Sequence, residues 1–362
     1  MKIGVFNIPY ALGYSTGPRT ACQTIEWDLQ ITKWADMYGL DEAFFAEHYT
    51  LGDEPGPAPD QMIAAASQIT SRITLGAAAH LPPYHNPVSL AHRMMWLDHM
   101  TGGRYIAGVA QGAYPSDAQL FGTGKNNARM LVEALDIMEA IWTRPGPFNI
   151  EGEFFSVDMP AYDSNIRGPH LKPLQQPRFP LMITGMQATS PSLAVAGKRG
   201  YIPMSQQVHE SVLIQHWETY SKAAIEAGNT PSRTNWRICR DYFVAETDDE
   251  AIDKVMNGAL GKLWGEYNIP TFVHKLGIGD LIAGGTIPPE ELSIEWMVDN
   301  FLLVGSPDTV VGKIEALYDN VGGFGSLVTF CHEYYDDPEP YRRSFELMGS
   351  KVRPALAHLT GE

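Results

Sequence analysis

The chain has 362 residues, of which 44% are hydrophobic and 19% charged, and this composition excludes disorder over the bulk of the chain. Acidic residues outnumber basic ones by 42 to 26, and the formal net charge of -16 argues against a sequence-independent nucleic-acid binder and against docking on anionic membranes. The sequence has neither a signal-peptide pattern at its start nor an apolar stretch near the ~20 residues of a membrane span. We therefore expect a cytoplasmic protein.

Short β-rich segments alternate with segments of helical periodicity along the chain. The first helix is marked by Trp27, Ile31, Trp34 and Tyr38, which recur on one face of an α-helix, and Gly39 is the expected stop. Strands are predicted at 3–7, 43–46, 73–78, 104–109, 181–184, 201–204, 236–245 and 327–331.

This alternation predicts an α/β protein whose single domain, 1–362, is a (β/α)8 TIM barrel. Such a barrel typically takes about 250 residues, which leaves roughly a hundred for insertions over its C-terminal face. We expect these insertions at about 145–162, as a hairpin, and at about 265–300, as a loop excursion. The alternative is a doubly wound open sheet, which is disfavoured because no Gly-x-Gly-x-x-Gly follows the first strand.

Residues that follow the strands are the candidates for chemistry, because TIM-barrel active sites lie at the C-terminal ends of the strands. His48 follows the second strand, and a histidine titrates near neutrality, which suits proton transfer. The alternative is a histidine that is merely packed in the barrel mouth. No metal is expected, since the first strand ends in Asn-Ile-Pro without a His-x-His pair. Aromatic residues near strand ends are candidates for the wall of an apolar substrate pocket: Tyr10, Tyr114, Trp264 and Tyr334.

A candidate anion site follows the fifth predicted strand. Ser190 or Thr189 has the residue type of a helix N-cap, and Pro191 suits the first helical position. Free N–H groups at a helix start favour a phosphate, and Arg129 offers a guanidinium that binds phosphate through two hydrogen bonds. The alternative is a plain helix cap without a ligand.

Motifs spread in order over most of the chain are similar to those of one enzyme family. They are Glu47-His48, Ala64-Ala65-Ala66, Gly76-Ala77-Ala78-Ala79, Leu97-Asp98-x-Met100-x-Gly102-Gly103-Arg104, Phe121-Gly122-Thr123, Asn126-Asn127-x-Arg129 and Val304-Gly305-Ser306-Pro307. In this order they resemble the bacterial-luciferase-like flavin monooxygenases. Two further segments look most like the diketocamphane monooxygenases, which are flavin-dependent Baeyer–Villiger enzymes: Thr184-Gly185 with Ser190-Pro191-Ser192, and Tyr334-Tyr335-Asp336-Asp337-Pro338.

The resemblance implies a cofactor, a reaction and partners. The cofactor is reduced FMN, supplied by a separate NAD(P)H:flavin reductase, and it reacts with O2 to give a C4a-peroxide that oxygenates the substrate. The expected substrate is a small, mostly apolar ketone or terpenoid, with Baeyer–Villiger oxidation, hydroxylation and epoxidation left open. By the same resemblance His48 acts in acid–base steps near the flavin, and two copies of the chain form a homodimer through early helices.

The resemblance also assigns cofactor-binding residues. It implies a cis peptide between Ala78 and Ala79 behind the flavin ring, and it places Ala110 beside that ring. Gln111 replaces an arginine that helps to hold the phosphate in luciferase, and Ala110 replaces a cysteine, so the resemblance implies a weak grip on FMN and no light emission. The other residues of this expected site are Arg129, Thr184, Gly185, the backbone N–H of Met186, Thr189 and Ser190.

Two other classes of protein remain open at this point. One is a deazaflavin- or flavin-dependent dehydrogenase of the same superfamily, which transfers hydride and uses no oxygen. The other is a non-catalytic flavin-binding protein, which binds FMN and converts nothing.

Overall fold

The fold is described by a computed structural model over residues 1–10, 17–166, 168 and 170–361, with the backbone alone at residues 9 and 10. Eight parallel strands close into a barrel in the order β1-β12-β9-β8-β7-β4-β3-β2, so the (β/α)8 barrel is confirmed. The open sheet is excluded because β1 pairs with both β2 and β12. The strands are β1 (Lys2–Tyr10), β2 (Glu42–Phe45), β3 (Thr74–His80), β4 (Tyr105–Val109), β5 (Phe148–Glu151), β6 (Ser156–Met159), β7 (Leu181–Gly185), β8 (Ile202–Ser205), β9 (Arg237–Cys239), β10 (Tyr242–Val244), β11 (Leu303–Gly305) and β12 (Ser326–His332).

Helices cover the outside of the barrel between the strands. They are α1 (Ala21–Met37), α2 (Pro59–Ile69), α3 (Pro87–Met100), α4 (Pro115–Leu120), α5 (Asn127–Thr143), α6 (Pro191–Arg199), α7 (Glu210–Glu226), α8 (Asp248–Met256), α9 (Ala259–Lys262), α10 (Asp280–Ala283), α11 (Ile294–Asn300), α12 (Pro307–Val321), α13 (Pro338–Leu347) and α14 (Arg353–Ala355). Within the described ranges no helix combines the length and the apolar character that crossing a membrane requires.

Helix α1 illustrates why these segments fold as the sequence predicts. Thr20 and Gln23 form a capping box at its start, which satisfies two otherwise free backbone N–H groups. Trp27, Ile31 and Trp34 are buried at the spacing of one helix face. Gly39 follows the helix with a φ of 89°, a conformation that glycine adopts at little cost.

Side chains that point into the barrel form one apolar cluster, to which each of the eight barrel strands contributes. Phe6, Phe44, Met182, Met204 and Val328 are members of this cluster and are almost fully buried. Their close packing makes the barrel interior a core rather than a channel.

The opposite, N-terminal end of the barrel holds a buried ion pair. The Arg237 guanidinium donates to both carboxylate oxygens of Glu42, and the Ser326 hydroxyl donates to the same carboxylate. The side chains of Glu42 and Arg237 are 0% and 4% exposed. Residues at this end serve the stability of the barrel, because the strand ends that carry chemistry lie at the other end.

One predicted strand, 236–245, is divided in the structure. Its first part, β9, lies in the barrel, whereas its second part, β10, pairs with β11 in a separate two-stranded sheet. The chain leaves the barrel because the backbone N–H of Asp241 bonds to the Gln207 side chain and the Asp241 carboxylate accepts the Phe330 N–H. The periodicity of apolar residues does not show where side chains, and not a neighbouring strand, form the hydrogen bonds of the backbone.

The two segments that the sequence sets apart from the barrel differ in structure. Strands β5 and β6 pair antiparallel between residues 148 and 159. Residues 265–300 are largely helical rather than an open loop: they contain α10, α11 and π-helical turns at Leu263–Asn268 and Thr271–Lys275. The helices form because apolar residues such as Ile282 and Met297 are buried against the rest of the fold.

Candidate active site

His48 lies just beyond β2, at the C-terminal end of the barrel. Its backbone N–H donates to the Gly56 carbonyl at 2.9 Å, so the chain folds back over the histidine. Its Nε2 lies 3.2 Å from Oε2 of Glu54, and its ring packs edge-on against Tyr114, with 5.4 Å between the ring centroids. Its Nδ1 is buried and has no hydrogen-bond partner among the residues that the structure describes. One side of the ring is therefore fixed, and one nitrogen is left for a bound molecule.

Burial sets the protonation of this pair. Burial lowers the pKa of His48 to about 4, against the opposing effect of the carboxylates of Asp117 and Glu47. Burial likewise raises the pKa of Glu54 to about 8, although a hydrogen bond from Tyr267 lowers it. At neutral pH the pair is therefore a neutral imidazole next to a neutral carboxylic acid.

Glu47 connects the end of β2 with the end of β3. One of its oxygens accepts the Leu81 N–H at 3.0 Å, and the other contacts the Tyr49 hydroxyl at 2.6 Å and His85 Nε2 at 2.7 Å. Leu81 follows β3 directly, so the buried carboxyl group of Glu47 fixes the backbone at the end of β3. Because Glu47 precedes His48 in the chain, the same bonds help to fix the position of the histidine.

Three alanines lie together at the ends of β3 and β4. The peptide bond between Ala78 and Ala79 is cis, as the resemblance implies, and both residues are 6% exposed. The Ala110 N–H donates to the His80 carbonyl at 3.0 Å, which brings Ala110 next to the end of β3. Small side chains at these positions allow a flat ring to approach the backbone closely.

The side chain of Gln111 is exposed at the mouth of the barrel, and its backbone carbonyl takes part in a hydrogen bond. Its carbonyl accepts a hydrogen bond from the Asn127 side chain at 2.9 Å, and the same amide contacts the Tyr84 hydroxyl at 3.0 Å. The Gln111 side chain carries no charge, so the weak hold on FMN that the resemblance implies stays a prediction.

The end of β7 and the start of α6 carry the residues of the expected anion site. Pro191 occupies the first helical position and Ser190 the N-cap, but the Ser190 hydroxyl bonds to the Ser192 hydroxyl at 3.0 Å and not to a backbone N–H. The predicted N-cap position of Ser190 is therefore confirmed, while its side chain is held by Ser192, which also donates to the Thr184 carbonyl at 2.7 Å. A Cβ at Gly185 would lie 2.6 Å from Ser190 Oγ, so only glycine fits this close approach.

The remaining residues of the expected phosphate site lie on the surface. Met186 is half-buried and Thr189 is exposed in the turn before α6. Arg129 forms an ion pair with Glu153 of the β5–β6 hairpin, and its guanidinium lies 5.1 Å from the centre of the Phe154 ring. The side chains of Arg129 and Glu153 are 60% and 57% exposed, so this pair exchanges readily for another partner.

The four aromatic residues expected in a pocket wall have different positions. Tyr114 contacts His48. Tyr334 lines a cavity of about 510 Å³ together with His332 and Leu263. Trp264 is not a wall residue, because it is 1% exposed and its indole N–H bonds to Asp241. The Tyr10 side chain lies outside the described residues.

Residues that sequence reasoning missed complete the site. Glu54 contacts His48, and Tyr267, from the helical segment after α9, donates to Glu54 at 3.2 Å. Asp117 accepts hydrogen bonds from the Thr50 N–H and hydroxyl, which attaches the loop after His48 to α4. In the sequence, the acidic residue six positions after a strand-end histidine is a signal that could have indicated Glu54.

Comparison with known proteins agrees with this architecture. The luciferase-like monooxygenase family matches residues 1–323, and the chain belongs to that family. The predicted family is therefore confirmed, and with it the prediction that the chain is a monooxygenase.

Individual relatives match over nearly the whole chain. The 3,6-diketocamphane 1,6-monooxygenase of Pseudomonas putida is 37% identical, over 98% of this chain and 98% of its own. The limonene 1,2-monooxygenase of Rhodococcus erythropolis is 28% identical, over 93% of this chain and 82% of its own. The oxygenating constituent of 3,6-diketocamphane monooxygenase from P. putida, a type II Baeyer–Villiger monooxygenase solved with FMN, superposes with a TM-score of 0.92 over 98% of both chains at 37% identity. The likeness to diketocamphane monooxygenases is confirmed, and the predicted cofactor, FMN, is the one bound in that relative.

Proposed function

We propose that this chain is the oxygenating component of a two-component system, which uses reduced FMN and O2 to insert one oxygen atom into a small, mostly apolar ketone or terpenoid. One observation carries the proposal: a histidine with a buried carboxyl partner lies at the same end of the barrel as three small alanines. The diketocamphane and limonene relatives support the substrate class, since ketone and terpene are the chemistries in their names.

The residues present fit FMN. Ala78, Ala79 and Ala110 have small side chains, which suit the approach of a flat ring, and the buried Nδ1 of His48 has no hydrogen-bond partner among the described residues. Reduced FMN, when bound, supplies the electrons that activate O2. His48 holds or moves a proton at Nδ1, which its neutral form allows at the pH of the cell.

The phosphate group fits at the start of α6. There the backbone N–H of Met186 and the side chain of Thr189 are the donors for an anion, with Thr184, Gly185 and Ser190 shaping the turn. Arg129 adds the positive charge when it exchanges Glu153 for the phosphate.

The proposed function is tested by turnover with a supplied NAD(P)H:flavin reductase and a panel of ketones and terpenoids. We expect products heavier by one oxygen atom in mass spectrometry, with the label of ¹⁸O2, and none when oxidised FMN replaces the reductase system. Absence of labelled product over the whole panel would contradict the proposal.

The same assay separates the alternatives. A flavin- or deazaflavin-dependent dehydrogenase oxidises its substrate without O2, so its activity persists under anaerobic conditions. A non-catalytic flavin-binding protein binds FMN and leaves every substrate unchanged. A cytoplasmic location and a separate reductase remain part of the proposal.

We also propose that two copies pair through the early helices. Exposed apolar side chains occur there on α1, α2 and α3, among them Met37, Ile69, Met100 and Trp96, which is 60% exposed. Apolar side chains in this number on neighbouring helices are typical of an interface.

Replacing Trp96 with Glu is expected to weaken this dimer at least about tenfold, because the aromatic anchor is lost and a charge is buried in its place. Sedimentation equilibrium measures the change in dissociation constant. Ile225→Glu is the matched control, since Ile225 is 65% exposed on α7, away from the early helices. Equal dissociation constants for wild type and Trp96→Glu would place the interface elsewhere.

A further inference from the structure

We propose that Glu54 is a positioning residue: its carboxyl group donates a hydrogen bond to Nε2 of His48 and so keeps the imidazole proton on Nδ1. The inference rests on the proposed role of His48 and extends it to a residue that lies on a loop. Glu54 is 3% exposed, and its two oxygens have different neighbours, His48 at 3.2 Å and the Tyr267 hydroxyl at 3.2 Å.

The neighbours of the two carboxyl oxygens suit a proton on Oε2. The Tyr267 hydroxyl donates to Oε1 of Glu54, so Oε1 is an acceptor. Oε2 faces Nε2 of His48, and a protonated Oε2 donates to a nitrogen that accepts. A neutral imidazole that accepts at Nε2 carries its one proton on Nδ1, the nitrogen without a partner among the described residues.

The backbone holds this arrangement in place. The Glu54 N–H bonds to the Leu51 carbonyl, the Gly56 N–H bonds to the Glu54 carbonyl, and Gly56 accepts the N–H of His48. The loop therefore returns to the histidine two residues after Glu54. On its other side, Tyr267 ties the carboxyl group to the helical segment that follows α9.

Burial and the surrounding charges favour the protonated carboxyl group. Burial raises the pKa of Glu54 to about 8, and the negative charges of Asp53 and Asp117 act in the same direction, against the hydrogen bond from Tyr267. Tyr267 and Tyr114, the aromatic neighbours that titrate, both have raised pKa values and stay neutral. An ionised Glu54 would instead attract the proton of His48 to Nε2 and remove it from Nδ1.

Two substitutions separate this role from simple packing. Glu54→Gln keeps a donor for Nε2 and an acceptor for Tyr267, whereas Glu54→Leu keeps the volume and removes both. The tautomer of His48 is read in the apo protein from nitrogen chemical shifts after labelling with ¹⁵N-histidine, and His48→Asn identifies the signal. Thermal unfolding of each variant shows that it is folded.

We expect the proton on Nδ1 in wild type and in Glu54→Gln, and on Nε2 in Glu54→Leu. In wild type the proton moves from Nδ1 to Nε2 as the pH rises through about 8, the pKa of Glu54, whereas in Glu54→Gln it stays on Nδ1. If Glu54→Leu does not fold, the pH titration of wild type against Glu54→Gln still decides the question.

Turnover provides the second measurement. In Glu54→Leu, we expect oxygenated product per reduced FMN consumed to fall at least about tenfold, because the proton is on the wrong nitrogen, and in Glu54→Gln to stay within about twofold. The wild-type yield falls above about pH 8, and the yield of Glu54→Gln does not. The dissociation constant for FMN stays within about twofold in Glu54→Gln, since this variant keeps the proton on Nδ1 and Glu54 contacts His48 and not the phosphate site.

Unchanged tautomers in all three proteins, or no pH transition in wild type, would overturn the inference. Equal losses in both variants would also overturn it, because they would assign Glu54 a packing role. A chain that shows the expected tautomers and oxygenates no substrate would refute the proposed function and keep the inference about Glu54.

Discussion

Replacing His48 with Asn is expected to lower the yield of oxygenated product per reduced FMN by about 100-fold or more, which is the usual effect of losing a general acid or base. Asn has a similar size and keeps a polar side chain, but it cannot exchange a proton. Because burial holds the pKa of His48 at about 4, the wild-type ring stays neutral across the physiological range. Product formation by mass spectrometry and FMN binding by fluorescence are measured on the same preparation.

The matched control is His92→Asn. His92 lies on α3, where its ring bonds to the Val88 carbonyl, and it is half-buried. We expect wild-type yields from this variant. A wild-type yield from His48→Asn would show that the histidine is merely packed in the barrel mouth.

Replacing Arg129 with Ala is expected to raise the dissociation constant for FMN about ten- to a hundredfold, since a hydrogen bond to a charged group is typically worth about 1.5–3 kcal/mol. Binding of riboflavin, which lacks the phosphate, stays unchanged. Isothermal titration with both ligands separates the phosphate contribution from that of the ring.

Glu153→Gln is the control for this experiment. It removes the ion pair that Arg129 makes in the structure and keeps the arginine, so we expect FMN to bind as tightly as in wild type or more tightly. If Arg129→Ala binds FMN as wild type does, Arg129 belongs to the hairpin surface and not to the phosphate site.

The parts of the molecule that follow from local sequence could be predicted. His48 and Ala110 follow a strand and Ala78 lies near the end of one, and a closed parallel barrel necessarily brings such residues to one end. Knowledge of the family added the cis peptide at Ala78, since nothing in the residue pattern alone indicates it.

The parts that depend on distant contacts could not be predicted. Glu54 and Tyr267 are 213 positions apart and meet only because a loop and a helical segment cover the same strand end. Trp264 is aromatic, as a pocket residue often is, yet it is buried in the core, where its indole N–H donates to Asp241. The periodicity of apolar residues indicates which face of a helix or strand is buried. It does not indicate which side chain forms a hydrogen bond with a buried polar group there.

The buried pair of Glu42 and Arg237 has a consequence for how the protein responds to ionic strength. Dissolved salt screens the interaction of exposed charges over a distance of about 10 Å at 0.1 M. It screens the ion pair of Glu42 and Arg237 only weakly, because the barrel encloses both side chains. Arg129, which is exposed, lies within reach of dissolved ions. With Arg129 in its proposed role at the phosphate, we expect rising salt to weaken FMN binding before it destabilises the barrel, so that cofactor loading and not folding is the salt-sensitive property.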